Sequence, residues 1–155
     1  MTFYEIITTV YASQWALNQF ALGDANDGQG VFITSWSVPN VPEPTHAEVM
    51  AMQTPEMAFE YAYTAFLTAY LAQLRTLIDG VARQRNYDDA ISCVSYVNSS
   101  DLKWKLEAET FSAWRDSVWN YLYSQQVLIL NKSRPIPSIE QLNAELPVIV
   151  WPNQG

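Results

Sequence analysis

The single histidine, His46, is the side chain best suited by type to general acid–base work near neutral pH. It lies in Thr45-His46-Ala47-Glu48, just after Pro44. That T-x-x-E spacing is a capping box, in which hydroxyl and carboxylate satisfy the first free N–H groups of a helix. His46 therefore reads as a neutral surface residue in a first helical turn. The lone cysteine, Cys93, has no second cysteine for a disulfide and no thiol neighbour for a zinc site, so it reads as helix filling. No Gly-x-Ser-x-Gly elbow, glycine-rich phosphate loop or His-Glu-x-x-His helix occurs. The loop Asp24-Ala25-Asn26-Asp27-Gly28 invites comparison with calcium loops, which need an oxygen ligand at position five, glycine at six and glutamate at twelve. Counted from Asp24, those positions hold Gly28, Gln29 and Ser35, so the stretch reads as a turn. The expectation is no catalytic residue, no cofactor and no metal.

Arg115 is the more informative charge. It falls between Phe111 and Val118 on an apolar stripe, where an unpaired guanidinium is costly. A carboxylate should meet it, and Asp88 is the expected partner in a structural ion pair. Arg83 and Arg85 read first as charges complementing a helix C-terminus.

These residues sit on elements that can be read from pattern. Residues 3–11 and 31–38 are rich in β-branched and aromatic side chains and read as short strands or extended segments, with a weak helical pattern over 12–22. Pro39, Pro42 and Pro44 make a stiff connector, and the Thr45 box opens a short helix. Thr54-Pro55 starts a long helix to about Arg85, with Phe59, Tyr63, Phe66, Leu67, Tyr70, Leu71, Leu74, Leu77, Ile78 and Val81 on one broad face. Ala58, Ala62, Ala65, Ala69 and Ala72 form a second seam on that helix, which suits either close helix packing or self-association. Asp88 caps a short helix through Val97. A second long helix follows from about Leu102 to Leu130, with Trp104, Ala108, Phe111, Val118 and Leu122 inward and Trp114 on the shoulder. Ser138 and Gln141 form a second capping box, and Trp151 should plug an apolar groove from an extended tail. The expected fold is mainly α: an antiparallel helical hairpin or small bundle over 45–155, preceded by an extended, partly β N-terminal arm over 1–44.

Charge and composition narrow the function classes. Acids outnumber bases 16 to 8, for a net charge of −8 in 155 residues. Residues 1–74 carry Glu5, Asp24, Asp27, Glu43, Glu48, Glu56 and Glu60 with no Lys or Arg. Such a surface faces solvent or a basic partner and disfavours nucleic acid, whose phosphates need cations. The longest charge-free helical stretch, Tyr61 to Leu74, is too short to cross a bilayer, so no membrane insertion is expected. The N-terminus lacks the basic start of a secretory signal. Charged residues are 15% where about 25% is usual, and aromatics reach 14%. That points to deep burial or an adhesive surface.

The run Ala82-Arg83-Gln84-Arg85-Asn86-Tyr87-Asp88, then Ser92-Cys93 and Ser95-Tyr96, resembles a module of tailed-bacteriophage tail-fibre-assembly proteins. The resemblance continues through Trp104, Glu107-Ala108, Ala113-Trp114-Arg115-Asp116 and Val118-Trp119. It ends in Arg134-Pro135-Ile136-Pro137-Ser138, Glu145-Leu146-Pro147 and Trp151-Pro152, covering roughly residues 75–152. Asn86 stands where glycine is more usual in that module, and asparagine also tolerates the left-handed conformation. The resemblance implies a virion tail component, or a factor that binds fibre tips and is made in the host cytoplasm. It carries over no catalytic or ligand residue. The resulting expectation is a protein that docks onto a phage tail or tail-fibre protein, or onto a second copy of itself. Trp15, Phe32 and Trp36 plus the alanine seam would form the interface. The rival readings are an acidic inhibitor of a host protein and a hydrolase acting on the host surface.

Overall fold

The structure, a computed structural model, describes residues 1–153 of the chain. The chain is 60% helical, with seven α-helices and one two-stranded antiparallel sheet among the described residues, as the mainly α expectation required. It divides into two compact units, Met1–Ala62 and Tyr63 onward.

In the first unit, α1 (Phe3–Val10) forms where the sequence suggested a strand. Thr2 and Glu5 build a full capping box, and Phe3, Ile6 and Ile7 turn one face inward at helical spacing. Cap and packing override the β-preference of Ile6, Ile7, Thr8 and Thr9. The two threonine hydroxyls donate to Tyr4 and Glu5 carbonyls one turn back. A short helix, α2 (Ala12–Ala16), follows, and Asn18 at φ 52° turns the chain into β1 (Phe20–Asp24). This strand falls where a helix and a loop were read. It pairs antiparallel with β2 (Val31–Trp36), in the register Phe20↔Trp36 to Asp24↔Val31 with an irregularity after Ala21. The connecting loop holds Asn26, Gly28 and Gly30 at positive φ. Asp24 and Asp27 each accept a backbone N–H two residues on, which accounts for their carboxylates as turn formers.

The expected capping box of Thr45 and Glu48 opens α3 (His46–Ala51). Phe3, Ile6, Ile7, Phe20, Val38 and Val49 form the core here, with Met52 and Met57 packed against it. Residues 1–44 are therefore not an extended arm. They share a core with α3 and the first turn of α4 (Pro55–Arg83), so the division lies inside α4 rather than at the proline connector.

In the second unit, α4 continues to α5 (Ala90–Ser95), a 3₁₀ turn over 96–98, α6 (Leu102–Leu130) and α7 (Ile139–Ala144). The two long helices run antiparallel. Tyr87, just past the end of α4, meets Glu107 early in α6, while Tyr70, farther back on α4, shares the buried cluster with Leu122 farther along α6. One cluster joins them, with Tyr70, Leu74, Ile78 and Ala82 facing Phe111, Trp114, Val118 and Leu122, and Cys93 and Leu142 closing it. Ala108, Phe111, Val118 and Leu122 are buried on α6 as expected; Trp104 at the start of the helix is exposed, and Trp114, expected on the shoulder, is buried. Arg115 stands beside it at the half-exposed margin. No helix among the described residues is long and apolar enough to cross a membrane.

Candidate functional site

The end of α4 is shaped by Asn86. At φ 64° it is left-handed; its N–H donates to the Arg83 carbonyl and the Tyr87 N–H to the Ala82 carbonyl. Those two bonds make a Schellman stop, which usually takes glycine at this position and accepts asparagine. The reversal drives Tyr87 inward, where its hydroxyl donates to Glu107 Oε2 at 3.0 Å. Glu107 is 3% exposed, and Arg85 Nη1 lies 3.8 Å from its Oε1. The Arg85 guanidinium also sits over the Trp151 ring at 5.2 Å, and Trp151 stacks on Phe111. Trp151 thus fills an apolar groove as the sequence suggested.

Arg85, Asn86, Tyr87 and Glu107 line a cleft of about 410 Å³ between the α4–α5 turn and the start of α6. Tyr96 and Trp104 stand at its edge, both exposed, with their rings nearly perpendicular at 5.5 Å. Gln84, Asp88, Ser92 and Lys103 complete the lining. Asp89, rather than the expected Asp88, caps α5 by accepting the Ser92 N–H at 2.7 Å. Asp88 instead lends its carbonyl to Arg83 Nε at 2.9 Å. Burial raises the Tyr87 phenol and the Glu107 hydrogen bond raises it further; burial first, then Glu107, pushes the Cys93 thiol up to about 11. Both groups stay protonated near neutral pH. The surroundings favour recognition by hydrogen bonding and stacking. Among the described residues no cluster of His, Cys, Asp and Glu is arranged to hold a metal ion.

A second set of polar contacts straps the C-terminal segment to α6. Trp114 Nε1 donates to the Pro147 carbonyl at 2.8 Å. Arg134 pairs with Glu145 at 2.8 Å and donates to Gln125, while the Tyr121 hydroxyl donates to Glu145. The Tyr121 hydrogen bond first, then Arg134, holds the Glu145 carboxyl below its ordinary range.

The residues singled out from sequence are not brought to this cleft as a group. Arg115 does not meet Asp88; it lies at the half-exposed margin of α6 and pairs with its neighbour Asp116 at 3.2 Å. Trp15 and Phe32 are exposed on the first unit, as an interface needs. Trp36 is half-buried, packs edge-on against Tyr11 and donates through Nε1 to the Val41 carbonyl at 2.8 Å, so it braces the hairpin instead. Ala62, Ala65, Ala69 and Ala72 are exposed and Ala58 is half-buried. His46 stacks on Phe3 at 4.7 Å, as a capped surface histidine can.

The Tyr87–Glu107–Arg85 trio escaped residue-by-residue reading, although all three lie in motifs quoted for the phage resemblance. The signal was Asn86, the left-handed stop that turns Tyr87 inward. Compared with protein-family models, curated proteins and solved structures, the chain matches none of them.

Proposed function

We propose that this chain is a docking protein of a phage tail, either a tail component or a factor that assembles and attaches tail fibres. The observation that carries the reading is an acidic first unit with open rings. Trp15 is 37% exposed, Phe32 47% and Leu17 67%, in a unit with seven carboxylates and no Lys or Arg. Exposed aromatics are the usual anchors of protein interfaces, and the charge selects a basic partner face. The residues that carry the phage resemblance support it differently. Tyr87 with Glu107, Trp114 with the Pro147 carbonyl, and Arg134 with Glu145 hold the second unit together, as shared motifs of a structural module would.

The test is mass spectrometry of purified particles together with co-purification on trimeric fibre protein, using wild type and a Leu17→Ser/Phe32→Ser pair. Wild type should be retained in stoichiometric amount in one of the two settings, and the double variant should be lost from it with its unfolding unchanged. Absence of wild type from both, or turnover of a sugar, ester or nucleotide by the purified protein, would overturn the proposal. Salt-sensitive capture by a basic host protein instead would favour the acidic-inhibitor reading.

A further inference from the structure

We propose that the cleft at the α4–α5 turn binds a carbohydrate, with Trp104 and Tyr96 as the stacking platform and Arg85, Asp88 and Asn86 as partners for its hydroxyls. The cleft volume, about 410 Å³, is within the range of small-ligand sites, yet its walls are mainly polar where most such sites are apolar. A ligand matched to it must carry many hydrogen-bonding groups. The charges in the lining balance, with Arg85 and Lys103 against Asp88 and Glu107, so neither a polyanion nor a polycation is selected. A neutral polyol is.

The aromatic edge adds a second requirement. Trp104 and Tyr96 keep 47% and 37% of their surface open while touching each other edge to face, which fixes both rings. A pyranose is amphipathic in the matching sense: one face presents C–H groups to a ring, while its rim presents hydroxyls to polar neighbours. Arg85 is already set for those hydroxyls. Stacking on Trp151 and the nearby Glu107 hold its guanidinium, while the 3.8 Å separation is too long for a hydrogen bond, leaving donors for a ligand oxygen. Little ordering of that side chain remains on binding. Asp88 and Asn86 are exposed beside it, and between them they supply acceptors and donors.

The full chain would be titrated with maltohexaose, cellohexaose, mannohexaose and N-acetylchitohexaose by calorimetry and tryptophan fluorescence. Inorganic phosphate and a poly-glutamate peptide form separate arms. Saturable binding to at least one oligosaccharide is expected, little changed by 0.5 M salt in keeping with a neutral ligand. Trp104→Ala and Asp88→Ala should each weaken it about tenfold, the size of one lost stacking or hydrogen-bonding contact, while Trp104→Phe retains most of it. Because both side chains are exposed, circular dichroism and Cys93 thiol protection should not change. The proposal is overturned if no oligosaccharide binds, if binding survives both alanine variants, or if only phosphate or the acidic peptide binds and salt abolishes it.

Discussion

The two units draw on the same aromatic-rich alphabet and tie it down differently. In the second, Tyr96 and Trp104 are open at the cleft, but the core rings are tied: Phe111 is fully enclosed, and Trp114 and Tyr87 have hydrogen-bond partners. In the first, Trp15 and Phe32 stay open. The second core cluster joins eleven buried residues and the first six, so each side chain of the smaller core carries a larger share of its unit's stability. The cations follow the same division. All eight lie in the second unit, where Arg85 and Arg134 enter specific pairs. One unit therefore has the means to hold itself together, and the other the means to gain stability from a partner that binds only its folded form.

The sharpest way to break that contrast is to empty each core in turn. Phe111→Ala should cost about 3–5 kcal/mol, and Ile6→Ala about 2–5 kcal/mol. Cys93, buried in the second cluster and the only thiol, reports opening of that unit through its labelling rate in urea. Phe111→Ala should expose it at much lower urea, and Ile6→Ala should leave it protected. Equal labelling in both variants would mean that the units unfold as one and that the division has no energetic content.

The Tyr87–Glu107 bond comes next in size. A hydrogen bond to a buried carboxylate contributes about 1.5–3 kcal/mol, so Tyr87→Phe should lower the second transition by that amount without opening a cavity. A change under about 0.5 kcal/mol in urea unfolding would show that water serves Glu107 equally well.

How much of this could be read beforehand depended on whether the signal was local. The boxes at Thr45–Glu48 and Ser138–Gln141 and the two long helices follow from spacing alone, and all formed. The same box at Thr2–Glu5 was equally legible, but a run of β-branched residues argued for a strand and the cap won. Arg115 failed because positions 114 and 115 both lie one turn from Phe111 and from Val118, and spacing alone does not say which of the two faces the core; Trp114 does. Tyr87 and Glu107 are 20 residues apart on different elements, so only the fold could join them.

Alkaline pH should sharpen the contrast, with an effect from Cys93 comparable to that of the Tyr87–Glu107 bond. Burial raises the folded-state values of Tyr87, of Tyr70 to about 12 and of Cys93 to about 11. These acids ionise more readily once unfolded, at roughly 8.5 for cysteine and 10 for tyrosine. Their contribution is whole below those unfolded values and is lost as pH rises through the folded ones. The second unit should weaken from about pH 9 toward 12, by on the order of 3 kcal/mol from Cys93 alone, and Cys93→Ala should remove the earliest part of the loss. In the first unit Tyr61 is raised chiefly by its hydrogen bond to Glu5 and lies at the surface, so a shallower decline is expected there. Parallel declines in urea midpoints for the two units would remove burial as the cause.

The smallest expected stability effect bears most directly on function. Leu17 and Phe32 are open to solvent, so Leu17→Ser and Phe32→Ser should each change unfolding by within about 0.5 kcal/mol. Interface anchors differ from core residues in that their energy is realised only when the partner covers them. Loss of partner retention with unchanged unfolding would place Phe32 at the contact. A drop in stability comparable to that of Ile6→Ala would instead place the ring in the first unit's core, and the contrast between a self-sufficient unit and an adhesive one would lose its basis.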